Sequence, residues 1–367
     1  MDAAREFLAD DPATALATGG LVIGFVFGWI VNFSNFCTMG SIADFMAFGD
    51  FRRFRAWVLA AAVATLGAQL LQAMAIVDLS QSMYLTPNVN WLGHLLGGGI
   101  FGFGMVLAGG CASKNLARAG GGDLRALITL LVIGVCAYMT IGGLLGPLRN
   151  WLQQATAFDL RGHNLHTQSL GAIVGRLIGV SAERSNAGLA VVVVMAALVY
   201  CFRDARFRNS PLHVWSGIGI GLCVMAGWAL TGLAFDEFSN QPMSPISLTY
   251  VRPTGDTLEW LQRFTAGRVP AFGVTTVLGA VLGAFVAAWG MGRFRFRTYA
   301  NASDTLRNLA GASMMGVGGV LTLGCTIGQG ITGVSTLAVG SFLSCASIVM
   351  GGIAGIKYLE TASPAAP

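Results

Sequence analysis

Long apolar stretches alternate with short polar segments along most of the chain. A run such as A-V-V-V-V-M-A-A-L-V-Y (190–200) contains no charge at all. A helix needs roughly 20 apolar residues to cross the hydrocarbon core of a bilayer. The pattern predicts nine such spans, at 14–34, 56–77, 91–110, 124–146, 187–202, 212–232, 270–290, 308–325 and 331–356. A closed barrel is the other way to cross a membrane, but its strands read as short alternating segments, unlike these. Two shorter elements are expected outside the lipid-spanning set. S-L-G-A-I-V-G-R-L-I-G-V (169–180) is too short to span and reads as an interfacial or re-entrant helix, and L-E-W-L-Q-R-F (258–264) is amphipathic and suits an outer surface.

The polar segments differ in charge. Lys and Arg gather in alternate loops: Arg52, Arg53 and Arg55, then Lys114, Arg118 and Arg125, then Arg203, Arg206 and Arg208, then Arg293, Arg295, Arg297 and Arg307. The segments between them are poor in basic residues, apart from the long loop 147–186, and long loops obey the positive-inside rule weakly. This alternation predicts a periplasmic N-terminus and a cytoplasmic C-terminus. The acidic start M-D-A-A-R-E-F-L-A-D-D, with no small-residue cleavage site after the first apolar run, predicts that the first span is retained.

Three spans contain the same interruption. Cysteine sits among helix-breaking residues in N-F-C-T-M-G (Cys37), A-G-G-C-A-S-K-N (Cys111) and L-G-C-T-I-G-Q-G (Cys325). Nine residues earlier each has a glycine: Gly28, Gly102 and Gly316. A fourth copy, G-I-G-I-G-L-C-V-M-A-G-W, has Gly219 and puts Trp228 in the cysteine position. Two copies lie in inward-running spans and two in outward-running ones. The expected architecture is therefore an all-α polytopic membrane protein with about nine transmembrane helices, short re-entrant or half helices and two inverted-topology repeats. The halves are 1–186 and 211–358, joined by a linking span in 187–210, with a disordered tail at 359–367. Most of the 51 glycines serve close helix packing, as in the G20-x-x-x-G24-x-x-x-G28 face.

Composition sharpens this picture. The 367 residues are 54% hydrophobic and 11% charged, against about 25% charged in a soluble domain, which excludes an ordinary cytosolic protein. The net charge of +5 comes from arginine clusters between spans, so it does not indicate a nucleic-acid binder. Seven cysteines, most of them inside apolar segments, argue against a disulfide framework. No nucleotide-binding P-loop occurs, so ATP would not power the protein directly.

A helix restarting inside the membrane offers free N–H groups and a partial positive charge to an anion. Restarts are expected at 41, 114 and 330. Thr38, Ser41, Ser113, Asn115, Thr326 and Gln329 supply neighbouring polar groups, and Gly40, Gly110, Gly324, Gly328 and Gly330 leave backbone accessible beside them. A thiol adds a weak donor on a soft, polarizable sulfur. Three thiols along a path favour an anion that itself carries soft sulfur. Thiosulfate fits, with a hard sulfonate end for the N–H groups and a terminal sulfur for the S–H. Cys136, Cys201, Cys223 and Cys345 lie mid-span without breaks and read as packing.

The stretches G-F-V-F-G-W-I-V-N-F-S-N-F-C-T-M-G-S-I-A-D, G-G-C-A-S-K-N-L-A-R-A-G-G-G-D-L and L-G-C-T-I-G-Q-G-I-T-G-V-S-T-L-A-V-G-S resemble the YeeE/YedE family of bacterial sulfur transporters, across nearly the whole chain. The resemblance implies an inner-membrane importer of thiosulfate with an hourglass-like pathway, and it implies that Cys37, Cys111 and Cys325 are the functional thiols. It also implies a possible separate partner, a small cytoplasmic sulfurtransferase of the TusA type. Lys114, directly after the second motif's thiol, departs from the small neutral residues expected there and leaves the exact anion open. Two other classes stay open: a thiol-based membrane sulfurtransferase or oxidoreductase, and a conductor of another sulfur- or selenium-containing anion. A soft-metal channel would need several thiolates at one point, whereas these thiols are expected to be spread along a path.

No catalytic residue, metal site or cofactor is expected. His94, beside Trp91, is expected at the interface, and His163 and His166 lie in an outer loop without an acid cluster. Asp44 is expected to cap or pair, and Asp123 to N-cap the fourth span.

Overall fold

The computed structural model describes residues 11–235 and 244–362. It is an all-α bundle. In chain order the helices are α1 (Pro12–Ser34), α2 (Thr38–Phe48), α3 (Arg52–Ala73), α4 (Trp91–Leu107), α5 (Ala112–Gly120), α6 (Leu124–Ile141), α7 (Gly146–Thr156), α8 (Leu170–Ile178), α9 (Ala182–Phe202), α10 (Ala205–Arg208), α11 (Pro211–Leu233), α12 (Arg252–Gln262), α13 (Phe272–Gly290), α14 (Ala302–Leu321) and α15 (Val339–Ala362). Between α14 and α15 lies a further short helix over residues 326–335, whose core Gly328–Gly333 is π-helical. The described β-structure is limited to a two-residue ladder, β1 (Asn88–Val89) with β2 (Phe158–Asp159), and two isolated bridges.

Eight stretches are long and apolar enough to cross a membrane: Pro12–Phe48, Arg52–Ala73, Trp91–Gly120, Leu124–Ile141, Ala182–Phe202, Pro211–Leu233, Phe272–Gly290 and Val339–Thr361. The chain is a multi-pass membrane protein. The eighth expected span, 308–325, is α14, which is absent from these eight: it is 20 residues long but opens on the polar run A-S-D-T-L-R-N. Packing accounts for it where hydropathy does not. Its buried Asn308 accepts from Thr129 Oγ1 (2.8 Å) and Tyr299 Oη (2.7 Å) and donates to the Ala108 carbonyl (3.0 Å).

Two boundaries differ from the hydropathy pattern. The apolar run from 331 does not begin a span, because the chain first makes the 326–335 helix and turns at Thr336–Ala338 before α15 starts. The last helix reaches Ala362, so residues 359–362 are helical rather than part of a tail, and residues 363–367 lie outside the described residues.

Helix pairing is set by small residues. A Cβ on Gly28 would lie 2.0 Å from the Ala280 carbonyl oxygen on α13, and one on Gly102 would lie 2.1 Å from the Ile348 carbonyl oxygen on α15. Gly316 meets Cys136 Cβ and the Ile133 carbonyl on α6 in the same way. The glycine found nine residues before each thiol is therefore where its helix crosses another at backbone contact. Close backbone approach is how membrane helices gain dispersion contacts when lipid competes with every apolar side chain.

The polar segments gather on two faces. On one, Asp123 bridges Arg297, and Arg55 pairs with Asp204 (3.2 Å). On the other, β1 pairs β2, and Ser169 bridges Ala338. The segment 169–180 is indeed a short helix, α8, capped by Ser169. Residues 244–251 do not stay at this second face. They run extended and buried between helices, and neighbouring side chains satisfy their backbone: Thr231 Oγ1 donates to the Ile246 carbonyl (2.7 Å) and Thr332 Oγ1 to that of Leu248 (2.7 Å).

Because Gly28 abuts backbone, Gly28→Leu is expected to abolish the monodisperse folded fraction recovered in detergent. Gly188→Ala, where an added methyl meets nothing within 4 Å, is expected to leave the thermal midpoint within about 0.5 kcal/mol equivalent of the parent. Size-exclusion chromatography and thermal unfolding measure both.

Candidate functional site

Each of the three cysteines ends a break and starts a helix. α1 stops at Ser34 and α2 begins at Thr38, with Cys37 as its N-cap. α4 stops at Leu107 and α5 begins at Ala112, with Cys111 as N-cap. α14 stops at Leu321 and the next helix begins at Thr326, immediately after Cys325. The restarts thus come directly after the thiols, about three residues earlier than the polar residues suggested.

The breaks share a conformation. Two residues before each thiol the backbone is left-handed: Asn35 (φ 55°), Gly109 (φ 72°) and Leu323 (φ 61°). Glycine adopts this region freely and Asn tolerates it, but it strains Leu.

The sulfur atoms serve as caps. The Gly40 N–H donates to Cys37 Sγ (3.4 Å) and the Gly328 N–H donates to Cys325 Sγ (3.4 Å). The Lys114 N–H occupies the equivalent place beside Cys111 without closing a side-chain cap bond. Each sulfur therefore faces the third N–H of its helix, which leaves its own S–H free to point elsewhere.

The three caps converge. Thr38, directly after Cys37, and Thr326, directly after Cys325, line one small cavity. Lys114, three residues after Cys111, donates from Nζ to Asn35 Oδ1, two residues before Cys37. The three restarts therefore lie close together in the interior of the bundle. α5 runs from this point toward the face that holds Asp123, while the 326–335 helix runs toward the face that holds Ala338. Helix N-termini thus meet head-on from opposite sides of the bundle, and their dipoles make the meeting point positive.

Around it lie buried polar atoms with no hydrogen-bond partner: Thr38 Oγ1, Trp57 Nε1, Asn115 Oδ1, Gln329 Oε1, and the hydroxyls of Tyr84 and Tyr250. Thr326 Oγ1 is likewise without a partner. Buried polar groups are rarely left unpaired, and each costs about 1–3 kcal/mol. Tyr84 and Tyr250 are buried, and their phenolic hydroxyls are available as donors. A small cavity of ≈ 10 Å³ lies between α2 and the 326–335 helix, lined by Thr38, Thr326, Trp57, Gly330 and Cys345 among others. That is room for about one water.

The remaining expected residues have local roles. Ser113 Oγ sits 3.3 Å from Cys111 Sγ. Ser41 Oγ turns back to the Thr38 carbonyl (2.6 Å). Asn115 Nδ2 donates to the carbonyls of Gly110 (2.9 Å) and Cys111 (3.2 Å), pinning the second break. Gln329 Nε2 donates to the Thr322 carbonyl and holds the third break beside Gly324. Gly328 packs on Thr249 and Gly330 on the Trp57 ring. Lys114 Nζ donates to Asn35 Oδ1, which ties the second break to the first.

Some expectations change. His94, in the first turn of α4, is buried by protein, with Nδ1 2.6 Å from Ser344 Oγ. Cys345 lines the small cavity as well as packing. Asp44 pairs with Arg53 (3.3 Å), and Asp123 caps α6 while pairing with Arg118 and Arg125. Trp228 occupies the thiol position of an unbroken helix, and its Nε1 donates to Ser335 Oγ (3.0 Å) on the third restart. Trp57, Tyr84 and Tyr250 carry no motif and are found only through the fold.

A family model described as sulphur transport matches residues 33–354, a stretch that contains all three restarts. The chain belongs to the sulphur transport family. Among curated proteins it is 27% identical over 337 residues to the thiosulfate transporter TsuA of Escherichia coli (strain K12), covering 86% of this chain and 87% of that one. It is 26% identical over 314 residues to the thiosulfate transporter TsuA of Spirochaeta thermophila, covering 85% of this chain and 90% of that one. Both relatives are named as transporters.

The shared left-handed residue gives a stability test. Gly109→Ala is expected to destabilise by about 1–2 kcal/mol, whereas Leu323→Gly relieves strain and is expected to stay within about 1 kcal/mol of the parent. Thermal unfolding of purified protein measures both.

Proposed function

We propose that this protein imports thiosulfate across the bacterial inner membrane through a narrow, dry pathway at the meeting point of the helix N-termini. The observation that carries the reading is the convergence of three cysteine-capped helix starts with unpaired buried donors around them. The sulfonate end of thiosulfate would be held by helix N–H groups, the two phenols and Trp57 Nε1. Its terminal sulfur would meet the S–H of each cysteine in turn. From the neighbours of each thiol, the order of passage is Cys325, Cys111, then Cys37. Weak thiol contacts suit this work, because conduction requires sites that are easily left.

The arginine-rich face is the cytoplasmic one in this proposal, with the N-terminus periplasmic and the C-terminus cytoplasmic. The segments 1–186 and 211–358 act as two inverted halves around the thiols. A TusA-type sulfurtransferase as cytoplasmic acceptor rests on the family resemblance alone.

A second reading has one observation in its favour: the Lys114–Asn35 bond ties the Cys111 break to the Cys37 break, and thiol exchange needs two thiols brought near each other. In that case the protein would release sulfite while retaining sulfane sulfur, which proteoliposomes loaded with thiosulfate would reveal.

Uptake of labelled thiosulfate into proteoliposomes tests the leading reading. Cys111→Ala is expected to lower the initial rate at least about tenfold, the loss of roughly 1.4 kcal/mol at the narrowest point. Cys136→Ala is expected to transport like the parent. Undiminished uptake by Cys111→Ala would refute a central thiol. A host lacking its own uptake systems is expected to grow on thiosulfate as sole sulfur source only when it carries the parent chain.

Polar replacements test the donor shell. Tyr250→Phe is expected to raise the half-saturating thiosulfate concentration about ten- to a hundredfold, the value of one hydrogen bond to a charged group, in the same uptake assay.

A further inference from the structure

A cavity of ≈ 290 Å³ lies beside the second restart, and Lys114, Arg118, Arg293, Arg295 and Arg297 line it with a single acid, Asp123. That volume approaches the lower end for small-molecule sites.

The sequence R-F-R-F-R (293–297) builds one wall. In extended backbone, successive side chains alternate between faces, so all three arginines line the cavity while the phenylalanines turn away. Phe294 packs against Phe285, Trp289 and Phe296. The strap is fixed to the turn before α6 by backbone bonds: Arg295 N–H to the Gly121 carbonyl (3.2 Å), Arg297 N–H to Gly122 (3.2 Å) and Leu124 N–H to Arg297 (3.0 Å). At the floor, Asn32 Nδ2 donates to the carbonyls of Ala117 and Ala284 (3.1 Å each), which locks α1, α5 and α13 together.

The charges do not cancel. Asp123 is spent on Arg118 (2.8 Å) and Arg125 (3.0 Å). Burial pushes its carboxyl up, but Arg125 and Arg118 outweigh that and hold it below the usual carboxylate range, so it is ionised at neutral pH. Among the described residues, no carboxylate pairs with Lys114, Arg293, Arg295 or Arg297. Four cations therefore face one cavity without a counter-charge. Lys114 sits in the first turn of the helix that Cys111 caps, and its Nζ donates to Asn35 Oδ1 two residues before Cys37, so the cavity adjoins the first and second breaks.

We propose that this basic vestibule is a second anion site, which takes a small divalent oxyanion by charge alone at the inner mouth of the pathway. Only the position "inner mouth" rests on the transport reading; the site itself does not. Guanidinium groups bind the oxygens of sulfate as well as those of thiosulfate, and no thiol lines the cavity. The vestibule thus accepts both anions, and selection is left to the cysteines. Four positive charges here would also draw an anion past the thiols and shed it into solution as ionic strength screens them.

Equilibrium binding of radiolabelled sulfate to the full chain in phosphatidylcholine nanodiscs at low salt tests this without any transport step. The parent protein is expected to bind sulfate and thiosulfate within about threefold of each other at this site, and Cys111→Ser to bind sulfate unchanged. Arg295→Gln/Arg297→Gln is expected to weaken sulfate binding about tenfold, and Arg295→Lys/Arg297→Lys to restore most of it, which separates lost charge from lost folding. No sulfate binding by the parent, or full binding by the glutamine pair, would overturn the proposal. Phosphatidylglycerol nanodiscs provide the lipid control. Sulfate binding that persists there supports a free-anion site, and its complete displacement assigns the cavity to a lipid phosphate and overturns the proposal.

Discussion

Inside a bilayer every backbone N–H and C=O must find a partner within the protein, and this molecule interrupts three helices in its interior. The rest of the structure follows from meeting that demand. Asn115 and Gln329 amides cover the carbonyls left by the second and third breaks, and cysteine sulfur covers N–H groups at the first and third restarts. The buried extended segment 244–251 is held in the same manner by Thr231 and Thr332. Among the described residues twelve buried side-chain atoms are left without a partner, and seven of them belong to residues around the three restarts: Thr38, Trp57, Tyr84, Asn115, Tyr250, Thr326 and Gln329.

The glycines serve the same end. Gly28, Gly102 and Gly316 bring whole helices to backbone contact, which holds the broken segments in a rigid frame. A break in a loosely packed bundle would admit water and lipid. Here Cys111, Cys325, Thr326 and Gln329 are almost fully shielded, so helix dipoles act in a medium that does not screen them well.

Much of this was legible in the chain. The spans were visible because twenty apolar residues in a row have few other uses, and the breaks because Asn-Phe-Cys, Gly-Gly-Cys and Leu-Gly-Cys all place turn-compatible residues inside an apolar run. The restarts come about three residues before the polar residues suggest because sulfur itself does the capping at the first and third. The partner of His94, Ser344, is not legible because it lies 250 residues away. Tyr84, Tyr250 and Trp57 gave no signal for the same reason: each meets the thiols only through long-range folding. α14 shows the limit of hydropathy, since its buried Asn308 is matched by Thr129 and Tyr299 and costs little.

The fourth copy of the repeat is the odd one. Where the other three bend and present sulfur, α11 runs straight through and presents the indole of Trp228, fully buried and hydrogen-bonded to Ser335. The four copies are therefore not equivalent: three helices end in hinged breaks, whereas the fourth continues unbroken. The likeness between the two halves stops at Trp228, whose rigid indole braces the far end of the third restart like a strut.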